Sequence, residues 1–145
     1  MAEFAIILPV LVLLLTGLVE MGLALNNYVE LTNATNQGAQ ALSISAGITT
    51  DPCNTASKAV FSAAPNLSQS LFGFSISITP PGGGTAATFT GTSCSTANSF
   101  AAAGDLVGGA TVSLTVTYSI KNFWIFRVLP SQTLVLTAQT AEAVQ

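Results

Sequence analysis

The side chains that could carry out chemistry are few in this sequence. Its 145 residues include three Lys or Arg, six Asp or Glu and no His. The absence of His removes the commonest general base and the commonest neutral metal ligand. The carboxylates are scattered, and the glycines at 82–84 follow a proline pair, which is typical of a turn and not of a phosphate-binding loop. The sequence therefore predicts a protein that is not an enzyme and needs no cofactor or metal.

The two cysteines, Cys53 and Cys94, leave two alternatives open. Neither lies in a Cys-x-x-Cys motif, and a zinc site or a catalytic thiol would each want a His. The first alternative is a disulfide that closes a loop of about 40 residues, stabilises the fold by roughly 3–4 kcal/mol and implies an oxidising compartment. The second is a pair of unpaired, buried thiols.

Charge is the scarcest property of the chain. Charged residues make up 6% of the sequence, against about 25% in ordinary globular domains. A net charge of −3 with three cations excludes binding to the phosphate backbone as a main function, so no nucleic-acid partner is expected.

The N-terminal residues form a continuous apolar segment. Residues 4–15 contain no polar side chain, and the apolar pattern continues to Leu25 apart from Thr16, Gly17, Glu20 and Gly22. About 20 such residues span a bilayer as a helix. No Lys or Arg precedes the segment, which argues against a secretory signal peptide. Burial in a membrane or in a bundle of helices is expected, with a buried core helix as the alternative.

The helical pattern continues beyond this segment. No proline occurs between Pro9 and Pro52, and residues 26–46 mix apolar side chains with Asn, Thr, Gln and Ala. We predict one helix over about residues 2–46, bent at Pro9 or Gly17. It would be roughly 65–70 Å long, too long for a globule of this size.

In the last hundred residues, the spacing of the apolar residues changes. After a short helix at 54–64, apolar residues alternate with small polar ones at 72–79 and again at 112–120, as in half-buried strands. Residues 86–92 and 134–144 are predicted as two further strands. The predicted fold class is α+β, a long N-terminal helix packed on a small antiparallel sheet. The predicted parts are a filament-core or membrane half at 1–25, an amphipathic half at 26–46 and a β-rich head at 47–145.

The first 40 residues resemble TadE-like proteins, which belong to the tight-adherence pilus machinery and to the wider type IV pilin superfamily. Glu3-Phe4-Ala5 with Pro9 resembles the opening of that family, and Gly17, Glu20 and Gly22 resemble its next step. The segment Leu31-Thr32-Asn33-Ala34, followed by Gly38-Ala39, and the strand at 112–118 also fit.

The resemblance implies a mature pilin-like subunit cut from a precursor by a prepilin peptidase. Its expected partners are copies of itself, the inner membrane before assembly and the pilus assembly machinery. Its expected final location is an extracellular filament that serves adhesion. Alternatives are a minor pseudopilin that initiates assembly and a single-pass membrane-anchored binding module outside the cytoplasm.

Six residues are predicted to act in subunit assembly: Glu3, Phe4, Pro9, Gly17, Glu20 and Gly22. Glu3 either stabilises its own helix N-terminus or pairs with the α-amino group of a neighbouring copy and sets the axial register. Glu20 either is solvated at the membrane surface or makes a polar contact within a bundle, for example with Thr16. Gly17 and Gly22 would allow close approach of helices.

An aromatic cluster near the C-terminus has two interpretations. Phe123, Trp124, Phe126 and the adjacent Arg127 interrupt the strand pattern. They either pack in the core or form a surface that contacts another subunit.

Overall fold

The first element is a single long helix. The computed structural model describes residues 2–91, 104, 106–120 and 133–145, with side chains described from residue 7 onward. In it α1 runs over Ala2–Ser43, 42 residues, and is about 63 Å long at 1.5 Å per residue. It ends three residues before the predicted boundary, because Ser43 and Ser45 hydroxyls bond to carbonyls of the last turn and Gly47 turns the chain with φ of 69°.

The second helix, α2, covers Pro52–Ala63. The Asp51 carboxylate accepts a hydrogen bond from the Asn54 amide at 3.0 Å, so Asp51 caps the helix while Pro52 occupies its first turn. The helix ends at Ala63, because Pro65 disfavours helical geometry for the residue before it, Ala64. The predicted short helix is therefore present and begins two residues earlier than expected.

Four strands form one antiparallel sheet in the order β2-β1-β3-β4. A 3-10 turn at Gln69–Leu71 leads into it. The observed strands lie close to their predicted bounds. Because apolar and small polar residues alternate along them, the apolar side chains lie on one face of the sheet. The strands are β1 (Phe72–Thr79), β2 (Ala87–Gly91), β3 (Thr111–Ile120) and β4 (Leu134–Ala143).

The core lies between the apolar face of the sheet and the two helices. Leu31 and Leu42 of α1, Val60 of α2 and Leu114 of β3 are all fully buried. At one end of this core, rings of α2, β1 and β3 pack edge to face with centroids 5.3–5.6 Å apart. These contacts involve Phe61, Phe72, Phe74 and Tyr118. The predicted α+β architecture, a long helix on a small antiparallel sheet, is confirmed.

Gly38 brings α1 close to the rest of the core. A Cβ at this position would lie 2.7 Å from Cγ2 of Val60 and 2.8 Å from Cδ2 of Leu114. Such distances are shorter than van der Waals contact, so a larger residue would fit here only if the Val60 and Leu114 side chains shifted. Glycine at this position therefore allows α1 to pack closely on the head.

The outer face of the sheet is uncharged in the described strands. Ser75 and Thr90 face each other at 3.4 Å, and the Thr117 hydroxyl donates to the Gly73 carbonyl at 3.4 Å. Side chains on this face are mostly Ser and Thr, so small hydroxyl residues and not charges coat these strands.

Candidate subunit-contact surface

The sheet reaches along only the second half of α1. The Gln145 amide donates to the Ser43 carbonyl at 3.3 Å, which places the end of β4 beside the end of α1. A ten-residue strand spans about 33 Å, equal to about 22 residues of helix. Ala24, at 7% exposure, is the first buried residue of the described side chains of α1. Residues 2–23 of α1, about 33 Å of helix, therefore lie beyond the sheet.

This first half of α1 is apolar and uncovered. Its large apolar side chains between Ile7 and Leu25 are 49–70% exposed. Monomeric soluble proteins rarely leave a continuous apolar surface of this extent, because water penalises it. By length and composition, Ile7–Ser43 contains a window able to cross a membrane, with mean hydropathy 2.3 and 6% of it buried.

The hydroxyl of Thr16, which lies in this half, is satisfied within the helix itself. The Thr16 hydroxyl donates to the carbonyls of Val12 and Leu13 at 3.0 and 2.9 Å. A hydroxyl bonded in this way carries little penalty in an apolar environment. The polar contact of Glu20 within a bundle of helices stays a prediction.

Glu20 lies on the same side of α1 as the buried residues Ala24 and Leu31. It is half-buried and, with Leu15, Thr16 and Val19, lines an open depression of about 390 Å³. Four residues further along, Ala24 begins the contact with the head. Glu20 therefore lies where the apolar half of α1 meets the head, and its role in assembly stays a prediction.

The two predicted glycine contacts lie on different sides of α1. Gly17 is half-buried on the same side as Glu20, whereas Gly22 is exposed, and a Cβ added to it would meet no atom within 4 Å. Two positions five residues apart on an α-helix point in directions about 140° apart, so one neighbouring helix cannot pack closely against both glycines. Pro9 lies inside α1 and removes one backbone hydrogen bond near its start.

Several predicted residues lie outside the described part of the structure. Glu3 and Phe4 belong to α1, but their side chains are not among those described. Cys94 and the aromatic cluster of Phe123, Trp124, Phe126 and Arg127 lie outside the described residues. Cys53 is fully buried in the first turn of α2, and the Cys53–Cys94 bridge stays a prediction.

One anchor of α1 was missed by sequence reasoning. The Glu30 carboxylate accepts a hydrogen bond from the Asn66 backbone amide at 3.2 Å and another from its side-chain nitrogen at 3.5 Å. This contact joins the middle of α1 to the turn between α2 and β1. A sequence separation of 36 residues gives no local signal for the pair. Glu30 therefore attaches the head to α1 and is not a stray charge on the helix.

The comparison with known families addresses the N-terminal segment. A family model described as TadE-like protein matches residues 1–40. The first 40 residues are TadE-like. The TadE-like segment covers the whole exposed half of α1 and continues through Gly38, where α1 packs against the head. The resemblance predicted for this segment is thereby confirmed.

Neither known proteins nor metal-ligand groups among the described residues add a further candidate. Searches of curated proteins and of solved structures gave no match to the chain. Among the described residues there is no group of three or more Cys, Asp or Glu that could hold a metal ion. The TadE-like helix is therefore the feature from which a function can be argued.

Proposed function

We propose that this TadE-like chain is a structural pilin subunit that polymerises into an extracellular filament of the tight-adherence type. The observation that carries the proposal is the uncovered apolar half of α1, 49–70% exposed along its length, within the TadE-like segment. Such a surface requires either lipid or other copies of the chain.

Both environments have a place in this proposal. Before assembly, the apolar half of α1 holds the subunit in the inner membrane, where the prepilin peptidase and the assembly machinery act on it. After assembly, the same half packs against neighbouring copies, and the hydroxyl-rich sheet faces outward. The filament would serve attachment of the cell to a surface.

The physical advantage of this arrangement is that one surface serves both states. Helix association in a membrane relies on close packing and not on expulsion of water. Transfer of the apolar half from lipid to a bundle of copies therefore involves little change in hydrophobic energy, and assembly can be driven by packing and by the machinery.

The direct test is to shear the surface of cells that make the chain together with its pilus machinery. We expect negative-stain microscopy to show filaments and N-terminal sequencing of the sheared material to identify this chain as their subunit. A monomer that stays in detergent-solubilised membranes, with no filament in any growth condition, contradicts the proposal.

A pair of matched variants ties the filaments to α1. Leu18→Lys places a charge on the uncovered half of α1, where Leu18 is 62% exposed; filaments should be lost. Val135→Lys changes a residue that is 50% exposed in β4, and filament yield should stay normal. Equal yields from both variants would remove α1 from the contact between copies.

Glu3 is tested separately. Glu3→Ala should slow or block assembly if Glu3 pairs with the amino terminus of a neighbouring copy, because an unpaired buried amine is costly. The head should stay folded in this variant. A normal filament yield would leave Glu3 with no role in register.

A further inference from the structure

The side of α1 that faces away from the head carries one regular stripe along the helix. The buried side of α1 is marked by Ala24, Leu31, Thr35, Gly38 and Leu42. The opposite stripe, here called the back seam, repeats at intervals of three and four residues, which keeps it on one side of an α-helix. Its first part consists of Leu11, Leu15, Leu18, Gly22, Leu25 and Val29.

The first part of the back seam has the pattern of a coiled-coil contact. Its spacings of four, three, four, three and four residues are those of positions a and d in a heptad repeat. The large side chains among these six are 54–62% exposed, so nothing in the described part of the chain packs over them. Identical copies with such a stripe can pack side chains of one helix between those of another.

The second part of the back seam changes chemistry while it keeps the spacing. Asn33, Asn36 and Gln40 follow at intervals of three and four residues. Ile44, the first residue after α1, continues the spacing and is 69% exposed. The three amide side chains are exposed and make no hydrogen bond with any described residue. They face away from the core, so the head does not require their polarity.

The amides are chemically suited to a second copy of the same chain. An amide side chain both donates and accepts, so it can bond an identical amide on a neighbouring helix, whereas a charge would meet a like charge. No position of the back seam carries a charge. In coiled coils, a polar amide in an apolar contact stripe lowers stability and selects one alignment of the helices.

We propose that Asn33, Asn36 and Gln40 form a layer of amide hydrogen bonds between copies and set their axial register. The inference rests on the proposed polymerisation and extends its contact surface from the apolar half of α1 to the half that packs on the head. The occupant of the back seam is another α1. The apolar part supplies most of the contact area, and the amide part selects which residues face each other.

The first experiment compares two variants in which Lys replaces an exposed amide residue, one on α1 and one on β4. Asn36→Lys should reduce the yield of sheared filaments about tenfold or more, because an unpaired charge in a contact between copies costs at least about 1.4 kcal/mol, the equivalent of that factor. Gln139→Lys is the matched control, on the outer face of β4, where the amide only donates to Ser113 at 3.3 Å. Its filament yield should stay within about twofold of the unmodified chain.

The second experiment measures register directly. In filaments that carry Asn33→Cys, a short thiol-reactive cross-linker should give one dominant dimer product, which the unmodified chain treated in parallel does not give. Addition of Asn36→Leu and Gln40→Leu should keep filament yield but lower the yield of that cross-linked dimer severalfold, because an apolar stripe does not hold the introduced cysteines of neighbouring copies at one fixed distance.

The outcomes separate this inference from the proposed function. Normal filaments from Asn36→Lys, or an unchanged yield of the cross-linked dimer after both Leu substitutions, would overturn the amide layer while the pilin assignment stands. If the unmodified chain with its machinery forms no filament, both proposals fail. Hydrogen exchange of the β3 amides, unchanged in every variant, shows that the head is folded.

Discussion

Residues 2–23 and residues 24–43 belong to the same helix but have opposite surroundings. In the first half, the large apolar side chains described from Ile7 onward are 49–70% exposed. In the second half, where apolar residues are fewer and amides more frequent, Leu31 and Leu42 are fully buried. The more apolar half is thus the uncovered one. Hydrophobicity alone does not decide burial within one chain, because burial needs a partner surface and the sheet is only long enough for one half.

The largest expected difference between the halves comes from matched Leu to Ala changes. Leu31→Ala empties a fully buried position and should lower the free energy of unfolding of the head by about 2–5 kcal/mol. Leu18→Ala, at 62% exposure, should change it by no more than about 0.5 kcal/mol. Urea unfolding of the full chain in mild detergent, followed by circular dichroism, measures both. Similar losses would mean that the halves are not energetically distinct.

The predicted disulfide should stabilise only the head. A Cys53–Cys94 bridge is expected to contribute roughly 3–4 kcal/mol, and reduction should increase hydrogen exchange in α2 and the sheet while residues 7–23 stay unchanged. Intact-mass analysis after alkylation, with and without reductant, counts free thiols. Alkylation of both cysteines before reduction would show that the bridge is not formed.

Glycine substitutions should also separate the halves. Gly38→Ala places a Cβ within 2.8 Å of Val60 and Leu114 side chains and should destabilise the head by about 1–3 kcal/mol. Gly22→Ala meets no atom within 4 Å and should stabilise the helix by up to about 1 kcal/mol. Thermal unfolding monitored for both variants tests the sign of each change. A destabilised Gly22→Ala subunit would indicate a contact of residue 22 within the monomer.

The smallest effect is expected at the contact between Glu30 and Asn66. Glu30→Met removes the acceptor of two hydrogen bonds and should cost about 0.5–1 kcal/mol, since the contact is exposed to water. Asn33→Met is the control, because the Asn33 side chain makes no hydrogen bond with any described residue. Hydrogen exchange should rise at the turn of residues 64–67 in the first variant only. If both variants behave alike, the contact does not hold the turn.

Much of the fold followed from short-range pattern. The period of two at 72–79 and 112–120 predicted β1 and β3 almost to the residue, because an alternating stripe can only be half-buried as a strand. The lack of proline between Pro9 and Pro52 predicted a continuous α1. The end of α1 was predicted three residues late, because serine hydroxyl bonds to the last carbonyls carry no strong sequence signal.

The contact surface was less accessible to sequence reasoning. Gly17 and Gly22 were grouped as one kind of surface, whereas their helical positions place them on different sides of α1. Asn33 and Gly38 both belong to the segment that resembles the family, and their different roles depend on which side of α1 faces the head. That choice is made by Val60 and Leu114, which approach Gly38 from distant parts of the chain.

By itself, the sequence determined the element types, the TadE-like start and the scarcity of catalytic side-chain types, because these depend on local composition and spacing. The tertiary structure decided which side of α1 is buried, where the head ends along it and which side chains stay uncovered. Those outcomes depend on the length of β4 and on the close contact of Gly38 with Val60 and Leu114. A local sequence pattern does not predict contacts between residues so far apart in the chain. The division of α1 into a covered and an uncovered half is therefore a property of the fold, and the proposed filament contact includes the whole uncovered half.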